Sequence, residues 1–224
     1  MDPRRVRYLD AMGITQWVAR APSASPAESL AQALPVDQMG WAELRRVVEG
    51  CVRCPLHESR TQAVFGVGNP SADWLVVGEA PGAEEDRLGE PFVGRAGHLL
   101  DEMLKGLGES RETAYIANVL KCRPPNNRDP RPEEAEQCSP YLERQIALIE
   151  PRVILAVGRI AAQRLLGSDA PLGRLRGQVF HYGSARVPVV VTYHPAYLLR
   201  RPSEKGKAWQ DLLLAARVAK GQAA

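Results

Sequence analysis

The chain has 224 residues, enough for one substantial domain or one domain with an appendage. At 45% hydrophobic and 25% charged residues it has the composition of a soluble globular protein, no apolar run spans a bilayer, and the charged start MDPRRVRYLDAMG lacks the apolar segment of a secretory signal. A cytoplasmic monomer without membrane association is expected, and the net charge of +3 is only a weak pointer to a polyanionic partner.

In chain order, residues 1–20 read as a short helical peptide. Residues 21–40, rich in Ala, Pro and Ser, read as a linker. Residues 41–224 form the main domain, opened by the helical WAELRRVVEGC. WLVVGEA (74–80) is a continuous apolar run, as in a strand buried on both faces. GRAGHLLDEMLKGLG (94–108) carries Leu99, Leu100, Met103, Leu104 and Leu107 at helical spacing and closes on Gly108. AYIANVLKC (114–122) is a second strand. Residues 131–150 start a helix with Pro132 and acidic residues, and Pro140 threatens to bend or split it. RVILAVG (152–158) is a third strand, followed by a short helix through Leu166. GQVFHYG is an edge-strand candidate, VPVVVTYHP (187–195) a fourth core strand, and residues 203–220 the last helix. Strands alternating with helices predict an α/β fold, a three-layer αβα sandwich around a central, mainly parallel four-stranded sheet.

The four cysteines are Cys51, Cys54, Cys122 and Cys138. Buried structural thiols would explain scattered cysteines. A thioredoxin-like pair would place C-x-x-C at a strand-to-helix junction, whereas CVRC precedes any strand. A four-thiolate site, zinc or iron–sulfur, uses all four and leaves none over; composition alone does not choose the metal.

Ligands of parallel α/β sheets bind beyond the carboxyl ends of the strands. The first strand ends in Gly78-Glu79-Ala80-Pro81-Gly82, the second at Asn118 and the fourth at His194-Pro195. Singly, each polar residue has a bland explanation: a helix cap, a satisfied turn, a structural histidine. Three at the ends of separate strands point to a site. It is not a dinucleotide site, because G-x-G-x-x-G is absent and Pro81 removes a backbone donor. There is no G-x-x-x-x-G-K-[ST] either, and the acids after Gly78 would repel phosphate.

GEAPGAEEDRLGEPFVGRAGHLL, NVLKCRPPNNRDP and HPAYLLR, with the four-cysteine framework, resemble the family 4 uracil-DNA glycosylases, bacterial and archaeal enzymes that carry a [4Fe–4S] cluster. The resemblance runs from about residue 44 to 215 and keeps motif order. It implies that Phe92 stacks on an extruded uracil, that Asn118 pairs with its Watson–Crick edge and that His194 hydrogen-bonds its O2. It makes Glu79 the acidic residue associated with catalysis and puts Glu85 beside the base, where it helps exclude a 5-methyl group. Gly78, Ala80 and Asn127 fall on motif positions of the same pocket; Ala80 stands where the family often has Gly. Cys51, Cys54, Cys122 and Cys138 match the cluster ligands, and Leu198, Leu199 and Arg200 match the loop that enters the duplex at the flipped base.

Elementary chemistry agrees with these roles. A base cannot be cut inside a duplex, so it is flipped out at a cost of a few kcal/mol; stacking on a Phe face returns ~1–3 kcal/mol. An amide offers a donor and an acceptor to uracil O4 and N3–H, and cytosine presents the opposite pattern. Glycosidic cleavage leaves negative charge on O2 and cationic character on the sugar, matched by a histidine and a carboxylate. Lys121, Arg123, Arg128 and Arg131 against Asp129, and Arg200, Arg201, Lys205 and Lys207 against Glu204, give two basic segments suited to phosphate contacts.

No lysine stands out as a Schiff-base nucleophile, so a monofunctional enzyme is expected. The loop CRPPNNRDPRPEEAEQC has no histidine, unlike superfamily relatives that become trapped covalently on DNA. The alternative from another class is a non-catalytic DNA-binding or replisome adaptor with a structural metal site. In the N-terminal peptide, Tyr8, Leu9, Met12, Ile14 and Trp17 form an apolar cluster. It is either a helix packed on the domain or a docking peptide. It resembles the N-terminal peptide of the DNA polymerase III psi subunit, which implies clamp-loader subunits as partners of residues 1–20.

Overall fold

The computed structural model describes residues 3–13 and 34–222. The chain divides into two compact units, Met1–Pro35 and Val36–Ala224. In the first, helix α1 (Pro3–Ala11) ends two residues before Gly13, whose φ is +70°. Ile14, Trp17 and most of the Ala/Pro/Ser segment, residues 14–33, lie outside the described residues.

The second unit is built on six strands: β1 (Val67–Gly68), β2 (Trp74–Gly78), β3 (Tyr115–Asn118), β4 (Val153–Val157), β5 (Val179–Tyr182) and β6 (Val187–Thr192). Their order across the sheet is β1-β3-β2-β4-β6-β5. The four central strands are parallel, and the antiparallel β1 and β5 extend the two edges. The expected parallel four-stranded core is therefore the middle of a mixed sheet. Its β5 edge falls on the segment GQVFHYG, whereas the two-residue β1 has no sequence signal of its own.

The apolar runs are continuous because both faces are covered. Successive side chains of a strand point to opposite faces. Leu75 and Val77 of β2 join one core cluster while Trp74 and Val76 join the other, and β4 divides Ile154 and Ala156 from Val153, Leu155 and Val157 in the same way. The first cluster is closed by α2 (Trp41–Glu49), α5 (Pro132–Ile149) and α6 (Arg159–Leu166) through Leu44, Val48, Tyr141, Ile146 and Leu165. The second is closed by α4 (Arg95–Lys105) and α9 (Lys205–Ala219) through Leu100, Leu104, Leu212 and Ala215. Three short helices complete the unit: α3 (Ala83–Leu88), α7 (Leu172–Leu175) and α8 (Pro195–Arg200).

Two local outcomes differ from the sequence reading. Helix α5 runs unbroken through Pro140. Its buried Tyr141, Leu142, Ile146 and Ile149 outweigh the single backbone bond the proline forfeits. The segment read as linker up to residue 40 already belongs to the main unit from Val36: Met39 is buried and its carbonyl accepts a 2.7 Å bond from Arg144 Nε.

Strand order reverses at β2, whose neighbours are β3 and β4. The crevice at the carboxyl ends of these strands is where an open parallel sheet offers a binding site.

Candidate active site

At those strand ends lies a cavity of about 510 Å³. Register builds its floor: Gly78 at the end of β2 stands beside Asn118 at the end of β3. Beyond the strands the two chains stay zipped, with Val119 N donating to Gly78 O at 3.0 Å and Leu120 N to Glu79 O at 3.0 Å. Glu79, Ala80, Glu85, Phe92, Asn118, Asn127 and His194 all line the cavity. Gly78 lies behind them: a Cβ there would sit 2.6 Å from Phe92 Cζ and run into Asn118 Oδ1. Gly78→Ala is therefore expected to displace the aromatic wall and lower turnover at least ~10-fold, since misplacement by about 1 Å can cost 100-fold. Single-turnover kinetics at a temperature where the variant is folded, with thermal unfolding alongside, would check this: overpacking should lower the melting temperature, and the rate should fall even while the protein stays folded.

Asn118 is 2% exposed, and its Oδ1 has no hydrogen-bond partner among the described residues. Native proteins rarely bury an acceptor without a partner, because the lost hydration costs ~1–3 kcal/mol. Buried against Gly78 at the cavity floor, this unpartnered acceptor suits a ligand's N–H.

Phe92 has φ +55°, a region that bulky residues avoid. Three features hold it there. Arg111 Nη1 donates to Pro91 O at 3.1 Å, and its Nη2 donates to Phe92 O. Asp101 Oδ1 fixes the same guanidinium at 2.6 Å. Gly97 of α4 leaves room for the Phe92 carbonyl, which any Cβ would strike. The ring is thereby set against His194, with centroids 5.6 Å apart and planes 27° apart.

Glu85 is fully engaged by the backbone. Its Oε2 accepts from Gly82 N at 3.1 Å, and its Oε1 accepts from Val93 N and Gly94 N at 2.9 and 3.2 Å. The carboxylate ties the start of α3 to the start of α4 and so closes the loop that carries Phe92. Asn127 has φ +53°, and its Oδ1 accepts from Arg123 Nε at 2.8 Å.

The two titrating groups are driven apart. Burial, then the nearby Asp129 charge, pushes Glu79 up to about 7, with Arg159 opposing. Burial, then Arg200, pulls His194 down to about 4, with Glu85 opposing. His194 is thus a neutral imidazole at neutral pH. Its Nδ1 accepts from Ala196 N at 3.1 Å, an arrangement that assigns the proton to Nε2. The ring offers the cavity an Nε2–H donor.

The four cysteines converge on a second, small cavity that Lys121 and Tyr141 also line. Among the described residues no three His, Cys, Asp or Glu are grouped for a single metal ion. Every sulfur nevertheless faces a donor. Arg60 Nη1 reaches Cys122 Sγ at 2.9 Å, Tyr141 OH reaches Cys51 Sγ at 3.2 Å and Lys121 N reaches Cys138 Sγ at 3.3 Å. The backbone N–H of Leu56 serves Cys54. Donors aimed at sulfur stabilise thiolates.

A sequence profile of the uracil DNA glycosylase superfamily matches residues 65–213. The chain belongs to the uracil-DNA glycosylase superfamily. A type-4 uracil-DNA glycosylase of Archaeoglobus fulgidus is 49% identical over 166 residues, covering 71% of this chain and 83% of that protein. One from Pyrobaculum aerophilum is 44% identical over 182 residues, covering 79% and 93%. A type-5 uracil-DNA glycosylase of Thermus thermophilus is 38% identical over 173 residues, covering 67% and 75%.

Against this superfamily background, two expected DNA contacts look different in three dimensions. Leu198 is 1% exposed, because α8 turns it into the core beside α4 and α9, whereas Leu199 is 37% exposed and Arg200 is exposed. Of the three, Leu199 and Arg200 are the ones free to meet a duplex. Lys121, counted in the basic segment, is 1% exposed and turned inward. Its Nζ donates to Asn118 O at 2.9 Å and to Gln145 Oε1 at 2.6 Å, and burial pulls its pKa down to about 8. Lys121→Met is expected to strand both acceptors and to cost about 2–4 kcal/mol in denaturant unfolding. A change under 1 kcal/mol would remove this brace from the account.

Sequence reasoning missed Arg111, Asp129 and the pair Tyr193 and Tyr197. Tyr197 lines the cavity and packs on Tyr193 at 4.9 Å, which in turn carries the Arg176 guanidinium at 4.1 Å. Arg176 is anchored by the buried Asp211 at 2.7 Å. Only aromatic spacing around His194 hinted at this support.

Proposed function

We infer that the chain is a monofunctional uracil-DNA glycosylase of type 4, which flips uracil out of DNA and hydrolyses its N-glycosidic bond, leaving an abasic site in base excision repair. The observation that carries this reading is the orphaned, buried Oδ1 of Asn118 at the end of β3, on a residue that lines one cavity with a neutral His194. A ligand with an N–H next to a carbonyl satisfies Asn118, as uracil N3–H and O4 do. The relatives' names point to the same substrate.

The geometry supports the following roles. Phe92 offers its face to the extruded base, with the Arg111 clamp holding the ring in place. Gly78, Ala80 and Asn127 shape the pocket, and Glu85 stiffens its wall beside the base. As the N1–C1′ bond breaks, its electron pair passes to uracil and charge builds on O2. The Nε2–H of His194 donates to that oxygen without needing to carry a positive charge. Glu79, near neutrality in its proton affinity, stabilises the cationic sugar as a carboxylate and takes a proton from the attacking water. Leu199 and Arg200 meet the strand at the flipped base.

Cys51, Cys54, Cys122 and Cys138 are the ligands of a [4Fe–4S] cluster in this reading. When bound, the cluster supplies a cross-link between the loop after β3, α5 and the Cys51–Cys54 turn; no chemical step passes through it. A broad absorbance band near ~400 nm supports iron–sulfur over colourless zinc. Residues 1–20 serve as a docking peptide for DNA polymerase III clamp-loader subunits, supported by Tyr8 at 70% exposure. Pull-down by this peptide and by its Trp17→Ala form tests that part; equal recovery refutes it.

The function itself is tested by incubating the protein with oligonucleotides holding one uracil or one cytosine and measuring free base by chromatography. Uracil release without cytosine release is expected. Neither base released, or both, overturns the reading.

A further inference from the structure

Asp129 is a third carboxylate of the pocket, beside Glu79 and Glu85. Asp129 follows the turn Pro125–Asn127 and lines the same cavity as Glu79. Its partner comes from another element: Arg159, the first residue of α6, places Nη2 2.6 Å from Asp129 Oδ2. The guanidinium is steadied by Gln163 Oε1, which accepts from Nη1 at 3.2 Å. The loop itself is pinned by Arg128, whose Nη1 donates to Asp129 O at 3.0 Å and to Glu134 Oε2 at 2.8 Å. Asp129 therefore shares one cavity with Glu79 and Glu85, and it is braced by a cation on the helix that follows β4.

We propose that Asp129, braced by Arg159, is a positioning residue of the glycosylase: its charge at the cavity mouth sets the pH range in which Glu79 can accept the water proton. The inference rests on Glu79 being the working carboxylate. A like charge nearby favours the protonated form of Glu79, and an opposite charge disfavours it. The raised proton affinity of Glu79 is in keeping with this, with Asp129 acting upward and Arg159 downward after burial. Other ionisable groups around the cavity are Glu85 from α3, Arg128 from the loop after β3, and His194 and Arg200 from the β6 end and α8. These stay unchanged in the variants below. The side chain of Asp129 is 65% exposed, so its replacement leaves the core intact.

The test measures kcat/KM for uracil excision against pH, at fixed low ionic strength, for the wild type, Asp129→Asn, Arg159→Gln and Glu79→Gln. The rate of the wild type rises with pH through the Glu79 pKa. Asp129→Asn is expected to move that acid limb down by about half a unit, and Arg159→Gln to move it up by a similar amount. A role confined to holding the loop would lower the rate without moving the midpoint. If Glu79→Gln removes the limb while Asp129→Asn leaves it in place, the proposal fails and the Glu79 reading stands. If the limb survives in Glu79→Gln, the Glu79 reading fails and takes the proposal with it. If Glu79→Gln is inactive, opposite shifts in the other two variants support the proposal, and unmoved midpoints overturn it.

Discussion

Asn118→Ala is expected to fold at least as stably as the wild type and to lose uracil excision by about a hundredfold to a thousandfold. The two halves of this expectation come from one atom. Oδ1 is buried with no partner among the described residues, so its removal deletes an unsatisfied acceptor. The fold loses little, whereas the flipped base loses the group that reads N3–H. Single-turnover kinetics alongside denaturant unfolding separate the effects. A large loss of stability would mean that Asn118 is a structural residue satisfied within the protein. Retained activity would mean that the base is read elsewhere.

His194→Ala carries a second large effect, a fall in kcat of about a hundredfold to a thousandfold, from loss of the donor to the developing O2 charge. Its pH behaviour is the sharper test. His194 titrates at about 4, held neutral by burial and by Arg200. Its neutral form already donates and does not change at higher pH, so His194 contributes no pH dependence between about pH 5 and 8. The acid limb belongs to Glu79 at about 7, and activity is lost as pH falls through that value. His194→Ala should therefore lower the rate at every pH while keeping the acid limb. A limb that vanishes with His194 would make the imidazole the titrating catalytic group and reverse the two assignments. The stability sign for Glu79 is opposite to that of a salt-bridged acid. Its folded pKa lies above its unfolded value of 4.5, so it favours the fold below that value and loses this contribution as pH rises towards about 7.

The parallel core was legible because strands buried on both faces read as unbroken apolar runs: WLVV, RVILAV and VPVVVT each became a central strand. Glu79, Asn118 and His194 were legible for a related reason, since a parallel sheet brings its strand ends to one edge whatever the loops do; Glu85, Phe92 and Asn127 were legible only through the family resemblance. What stayed hidden depends on partners distant in sequence. Strand β1 is two residues long and exists through its pairing with β3. The strained backbone of Phe92 is held by Arg111 from nineteen residues away. Arg159 and Asp129 are thirty residues apart and follow β4 and β3, the two strands that flank β2. Lys121 looked like one more phosphate-binding cation, because nothing local announces that Gln145 of α5 waits for it. Leu198 looked like a wedge because six residues are too few to reveal which face of α8 is buried.

The most direct test of the account is excision itself. A duplex oligonucleotide with one uracil is incubated with the protein at low salt, then divided, and one half is heated in alkali. A strand break at the uracil position is expected in the alkali-treated half and an intact strand in the other, the mark of an abasic site without lyase cleavage. An intact strand in both halves would contradict the glycosylase reading, and a break in both would contradict its monofunctional chemistry.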